Sequence, residues 1–325
     1  MNPCERNSYL FLVLLIAFLV FEDARAQTYP TRPVRFIVPF GTGGSADIIG
    51  RMTAQKLTES LGQQLVVDNR SGAGGIIGTE LTAKAVPDGY TLVLGSFGTH
   101  IGNPNLYKKL SYDPIKDFAP ISLVATVHLV LAIHPSVPAK SVPELIALAK
   151  AKPGALNYAS SGNGTGTHLA GELFKSLADV DMTHIPYKSA GTAVSELAGG
   201  QVHLMFSSLP SVLPLVKAGK LRAVGIGSAK RSEAAPELAP IGELLRGYEV
   251  GTWFGVLAPS GTPRFIVALL GKEIASITKL PDVRSRLVTL GAEPIGNTPE
   301  QFAQYIKTEL PKWAKVIRAA GVTLD

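Results

Sequence analysis

Two glycine-rich turns hold the residues whose types and spacing suit them to grip a small anion. The first, Pro39-Phe40-Gly41-Thr42-Gly43-Gly44-Ser45-Ala46-Asp47, follows the apolar run Val34 to Val38 and leads into a segment with helical spacing. The second, Ser160-Ser161-Gly162-Asn163-Gly164-Thr165-Gly166-Thr167-His168, again stands between a strand-like and a helix-like segment. Such a turn points backbone N–H groups at an anion, and the helix dipole adds about half a positive charge there. The second turn also offers the hydroxyls of Ser160, Ser161, Thr165 and Thr167. Neither turn has a basic side chain. His168 falls at a helix start, where the dipole disfavours protonation, so a neutral hydrogen-bonding role suits it better than a cationic one. A hydrogen bond to a charged group contributes roughly 1.5–3 kcal/mol, and micromolar binding requires about −8 kcal/mol. About four or five amides and hydroxyls, direct or through water, hold a carboxylate once bulk solvent is excluded. The structural alternative is a pair of tight turns, with Asp47 serving only the helix dipole and His168 only a capped helix start.

Other chemistries find little support. The first turn is neither GxxxxGK[ST] nor GxGxxG, so it does not read as a nucleotide site. There is no GxSxG. The six histidines, at 100, 128, 134, 168, 184 and 203, show no HExxH or other ligand spacing, which leaves no metal site and no cofactor to expect. His128, His134 and His203 lie in strand-like runs. A secreted hydrolase using Ser160 or Ser161 would have only His168 as base, with no acid partner in view.

Both turns need elements to position them. The 325 residues include 33 Gly and 23 Pro, are 46% hydrophobic and only 17% charged, and suit a folded chain rather than a disordered one. The net charge of +6 is spread out and aromatics are 7%, which excludes a nucleic-acid surface. Residues 10–21 form an apolar run, too short for a bilayer at ~20 residues, and Ala24-Arg25-Ala26 fits a small-x-small cleavage site. Residues 1–26 therefore read as a signal peptide, with an uncleaved anchor as the alternative. The single cysteine, Cys4, lies inside it, so the exported protein has no disulfide.

From Tyr29 onward strand-like and helix-like segments alternate. Val34–Val38, a helix over Ser45–Leu61 capped by Ser45 or Thr42, Gln64–Val67, a helix ending near Ala85 and Tyr90–Leu94 make βαβαβ, the pattern of a parallel sheet with helices on both faces. Residues 96–120 are less regular. Phe118–Ile133 holds two apolar runs able to cross between lobes. A second series runs from Ser141 to Ile226, residues 228–250 connect, Thr252–Ala258 adds a strand, and three helical stretches close the chain. The two halves share one grammar, which predicts two lobes: 27–125 plus 250–325, and 126–249, with crossing segments near 120–130 and 230–250.

At this point the motifs resemble a known family, the Bug-type extracytoplasmic solute receptors, substrate-binding subunits of tripartite tricarboxylate transporters. The residues that carry the likeness run nearly the whole chain. They include Pro39-Phe40 with Gly43-Gly44, Asp47 and Arg51; Asn69-Arg70 with Gly72-Ala73-Gly74-Gly75 and Gly78; Pro87-Asp88-Gly89-Tyr90-Thr91-Leu92; Ser160-Ser161-Gly162 with Gly164-Thr165 and His168-Leu169-Ala170; Pro186-Tyr187-Lys188; and Ala258-Pro259 with Gly261-Thr262-Pro263.

The resemblance implies a two-lobed Venus-flytrap fold of the α/β class, each lobe a mainly parallel sheet flanked by helices. It implies a periplasmic, monomeric, non-enzymatic protein that captures a small carboxylate and hands it to integral-membrane permease subunits. A ligand sensor feeding a signalling partner uses the same closure and stands as the alternative. The implied carboxylate grip comprises Phe40, Gly43, Gly44, Ser45 and Asp47 on one side, and Ser160, Ser161, Gly162, Gly164, Thr165, Thr167 and His168 on the other. Phe97, His100, Tyr187, Lys188, Ser207 and Ser208 are implied readers of the far end of the ligand. Many relatives carry Asp where this chain has Ser207, which predicts a neutral or acidic far end rather than a cationic one. Ser189 replaces a usual Gly, and Ala239-Pro240-Ile241-Gly242-Glu243 replaces a usual Pro-Thr-x-x-Glu run.

Overall fold

The fold is that of a computed structural model, which describes residues 29–163, 165–187 and 190–319. The signal-peptide reading, Gly164 and Lys188 lie outside the described residues. In chain order the elements are β1 (Val34–Val38), α1 (Ser45–Leu61), β2 (Leu65–Asn69), α2 (Ile76–Ala83), β3 (Thr91–Ser96), a π-turn at Gly98–Gly102 running into α3 (Asn103–Leu106), and β4 (Phe118–Ile133). Then follow α4 (Val142–Ala151), β5 (Asn157–Ser160), α5 (Gly166–Ala178), β6 (Thr183–Pro186), α6 (Ala190–Ala198), β7 (Leu204–Ser208), α7 (Leu209–Lys217) and β8 (Arg222–Ile226). The chain ends with α8 (Ile241–Leu244), β9 (Gly251–Pro259), α9 (Arg264–Ile277), α10 (Pro281–Thr289), β10 (Ala292–Pro294) and α11 (Pro299–Ala319).

One strand joins the two halves. The first part of β4 pairs with β9, from Phe118 opposite Pro259 to His128 opposite Gly251, and with β10. The last part, Leu129 to Ile133, pairs with β7 and β8. The sixteen residues of β4 are almost all apolar and mostly buried, as a strand covered on both faces requires. On one side of it lie β2, β1 and β3, parallel to one another; on the other lie β6, β5 and β7, also parallel. The strands beside β4 are antiparallel, so each half is a mixed sheet.

The sheet covers explain the sequence pattern. Ile49, Met52 and Leu57 of α1 pack with Phe36, Leu92 and Val256 of the first half. Val194, Leu197 and Val212 pack with Ala159 and Met205 of the second. The long helix α11 returns to the first half and packs on β4, the 98–106 turn and α5. Its Phe302 meets Trp253 edge-on at 5.4 Å, and its Trp313 meets Phe97 edge-on at 4.8 Å. Each such aromatic pair contributes about 0.5–1.5 kcal/mol beyond area burial. Among the described residues, no helix is long and apolar enough to cross a membrane.

Two segments depart from expectation. The irregular stretch after β3 is helical from Gly98 to Leu106, and Ala292–Pro294 forms an additional edge strand on β4. The first lacks a clear apolar period, and the second has only three residues.

Candidate functional site

A cavity of about 510 Å³ opens between the two halves, within the size range of small-molecule sites. Phe40, Gly44, Ser45 and Ala46 line it from the first turn, and Asn163, Thr165 and Gly166 from the second. The N-termini of α1 and α5 therefore face one space. Ser96, Phe97 and Gly98 at the end of β3 form another wall with Asn103, Leu106 and Tyr107. Gly74, Gly102, Thr252 and Phe254 complete it. Among the described residues, no charged side chain lines this cavity.

The start of α1 is built to leave amides available. Its N-cap is Gly44, with no side-chain cap bond, where Ser45 or Thr42 was the expected cap. The loop is instead held from behind. The Asp47 carboxylate accepts from the Gly43 N–H at 3.0 Å, from Asn69 Nδ2 at 2.9 Å and from Arg51 Nε at 2.9 Å. Arg51 Nη2 also donates to Asn69 Oδ1 at 2.8 Å, and Asn69 Nδ2 to the Phe40 carbonyl at 3.1 Å. Burial pushes the Asp47 pKa up, but the Gly43 N–H, then Arg51 and Asn69, outweigh it and hold the carboxyl below the ordinary aspartate range. Asp47 is thus 5% exposed and spends its acceptors on its own loop.

The second turn is held by its own hydroxyls. Thr165 Oγ1 donates to the Gly162 carbonyl at 2.7 Å and caps α5 by accepting from the His168 N–H. Thr167 Oγ1 accepts from the Ser161 N–H at 2.9 Å. Ser160, fully buried, bonds the Gly162 backbone and meets His184 Nε2 at 2.6 Å. Behind the turn the rings of His168 and His184 stack at 3.8 Å, and Tyr158 stacks on His184 at 4.9 Å. Tyr158 OH donates to Glu172 Oε1 at 2.5 Å, and Lys175 Nζ reaches the same oxygen at 3.1 Å. Burial, then the neighbouring His168 ring, push the His184 pKa down to about 4; burial also lowers that of His168. Both rings are neutral at pH 7.

Of the residues named from sequence, Phe40, Gly44, Ser45, Phe97 and Thr165 line the cavity. Gly43, Asp47, Ser160, Ser161, Gly162, Thr167 and His168 stand just behind it as loop supports. Tyr187 continues β6, its N–H bonded to the Ser160 carbonyl. Ser207 is buried in β7 opposite Val130, and Ser208 Oγ meets Ser211 Oγ at 2.7 Å at the start of α7. His100 is fully buried. It bonds Thr99 Oγ1 through Nδ1 and lies edge-on to Phe118 in the first core, and burial lowers its pKa to about 3. Reasoning from sequence passed over Asn69, Arg51 and His184 as site supports. Asn69 and Arg51 stood in the quoted motifs, but nothing in their spacing indicated that they meet at Asp47. Nothing local marks His184, which reaches Ser160 only through the β5–β6 register.

Comparison with known proteins gives a consistent result. The sequence profile described as "Tripartite tricarboxylate transporter family receptor" matches residues 49–322. The chain is 40% identical over 303 residues to "Protein BugT" of Bordetella pertussis, covering 92% of each. It superposes on the structure titled "R. palustris Rpa4515 with adipate" with a TM-score of 0.79 and 38% identity, covering 91% of this chain and 99% of that one. The "periplasmic binding protein BugD" structure gives 0.74 at 35% identity, covering 91% and 99%.

Proposed function

The chain belongs to the tripartite tricarboxylate transporter receptor family, whose members are solute-binding receptors and not enzymes, and on that premise we propose that it captures a small organic carboxylate in the cleft and delivers it to integral-membrane permease subunits. One observation carries this reading: the uncapped start of α1 and the start of α5 face one cavity from opposite halves, with no basic side chain in the wall among the described residues. A carboxylate there meets two positive dipole ends and their unpaired amides. The adipate named for the Rpa4515 structure supports the ligand class.

In this reading Gly44, Ser45 and Thr165 face the carboxylate, while Asp47, Asn69, Ser160 and Thr167 position their loops. Residues 27–125 plus 250–325 close onto 126–249 about β4, where its pairing passes from β9 to β7 beyond His128. Contacts present only in the closed state drive that shift. Residues 1–26 direct export to the periplasm, where the protein acts as a monomer without a cofactor. Paired titrations of organic acids and their primary amides test the ligand class. Ligand-dependent retention of the receptor by the permease tests delivery.

A further inference from the structure

Resting on the carboxylate reading above, we propose that the ligand carries one carboxylate on an apolar body, and that this receptor discriminates against dicarboxylates. Away from the two helix starts, the wall is made by Phe40, Phe97, Leu106, Tyr107 and Phe254. Two polar side chains of the wall are engaged within the protein. Asn103 Nδ2 donates to the Gly74 carbonyl at 3.0 Å, and the Ser96 hydroxyl lies in a bonded pair with Thr99. Among the described residues no Lys, Arg or His lines the cavity. An ionised group against such a wall gives up hydration without compensation, whereas an apolar body is favoured there by the same loss of water.

The wall is also fixed in place. Phe97 is wedged edge-on against Trp313, itself nearly fully buried. The Phe40 ring lies where a Cβ at Gly75 would stand 3.3 Å away, and Gly75 has φ +91°. The same Cβ would stand 2.7 Å from Thr99 Cγ2, so a side chain at Gly75 would press on both neighbours of that ring's seat. A wall of aromatic rings accepts either an alkyl chain or a ring packed at an angle.

Matched acids of equal carbon skeleton test the proposal by calorimetry on the purified receptor. Hexanoate is compared with adipate, and benzoate with terephthalate. The expected result is at least a tenfold lower Kd for the monocarboxylate of one pair or both; the pair that shows it tells an alkyl body from a ring. Dicarboxylates binding as tightly as their partners overturn the proposal while upholding the carboxylate reading. Primary amides binding in place of every acid overturn both. The partly exposed Tyr107 supplies a second arm: Tyr107→Lys places a cation at the apolar wall and is expected to improve adipate relative to hexanoate by tenfold or more, with melting checked alongside. An unchanged ratio in a folded variant counts against the wall as the source of discrimination.

Discussion

The side-chain amide of Asn69 donates to the Asp47 carboxylate at 2.9 Å and to the Phe40 carbonyl at 3.1 Å, so one group at the end of β2 ties both ends of the first glycine-rich turn. Neither residue lines the cavity. The turn is held from behind by one carboxylate that accepts from Gly43, Arg51 and Asn69 together.

That relationship gives a first prediction. Asp47→Ala removes the acceptor shared by three donors, Gly43 N–H, Arg51 Nε and Asn69 Nδ2, and the lost bonds cost about 1–3 kcal/mol. Melting falls by several degrees and carboxylate affinity drops about tenfold, read by scanning calorimetry and titration. An unchanged affinity would show that the turn holds its shape without this carboxylate.

Acid sensitivity of the same site has a definite sign. The folded pKa of Asp47 lies below its unfolded value of about 3.9, so its contribution is complete above that pH and is lost as pH falls through the folded pKa. Asp47→Asn should therefore be less stable than the parent at neutral pH, with the gap narrowing below about pH 4. A gap independent of pH argues that the amide replaces the charge poorly for steric reasons alone.

The stacked histidines set a second pH window. His184 is neutral in the fold to about pH 4, whereas an unfolded histidine takes up its proton near 6.5. The unfolded chain binds more protons between those values, so stability should fall as pH drops from about 6.5 to about 4. Glu172 opposes the loss and Lys175 adds to it. His184→Gln keeps an acceptor for Ser160 without titrating. Its melting temperature should fall less over the same range, and a parallel curve would place the proton elsewhere.

Gly78 backs the first turn sterically. A Cβ there would stand 2.8 Å from the Arg70 carbonyl oxygen and 2.9 Å from the Pro39 Cα, both backbone atoms that give way poorly. Gly78→Ala should cost about 1–3 kcal/mol by overpacking and weaken binding through displacement of Pro39. Calorimetry showing normal stability and affinity would mean that the turn absorbs the shift.

Much of this was legible in the chain. Helix α1 starts at Ser45 and ends at Leu61 as its spacing predicts, because its buried face repeats at helical period and Gly62 adopts the left-handed conformation that ends it. The two apolar runs of Phe118–Ile133 form the single strand β4, and a strand covered on both faces shows in the chain as unbroken apolar residues without alternation. What escaped depends on register and on contacts distant in sequence. Asn69 reaches Asp47 across 22 positions, and His184 reaches Ser160 across 24. The helical turn at 98–106 lacks an apolar period, and it places Phe97 at the cavity and His100 inside the core.

The most direct test of the carboxylate grip is a thermal-shift comparison of organic acids with their own primary amides on the wild-type receptor. A ligand that binds only the folded state raises melting by mass action, by about 2.7 kcal/mol at a hundredfold excess over Kd. At least one acid should raise the melting temperature by several degrees while its amide at equal concentration leaves it unchanged. Amides that stabilise as well as their acids, with no acid better than its amide, would contradict the assignment of the two helix starts as a carboxylate site.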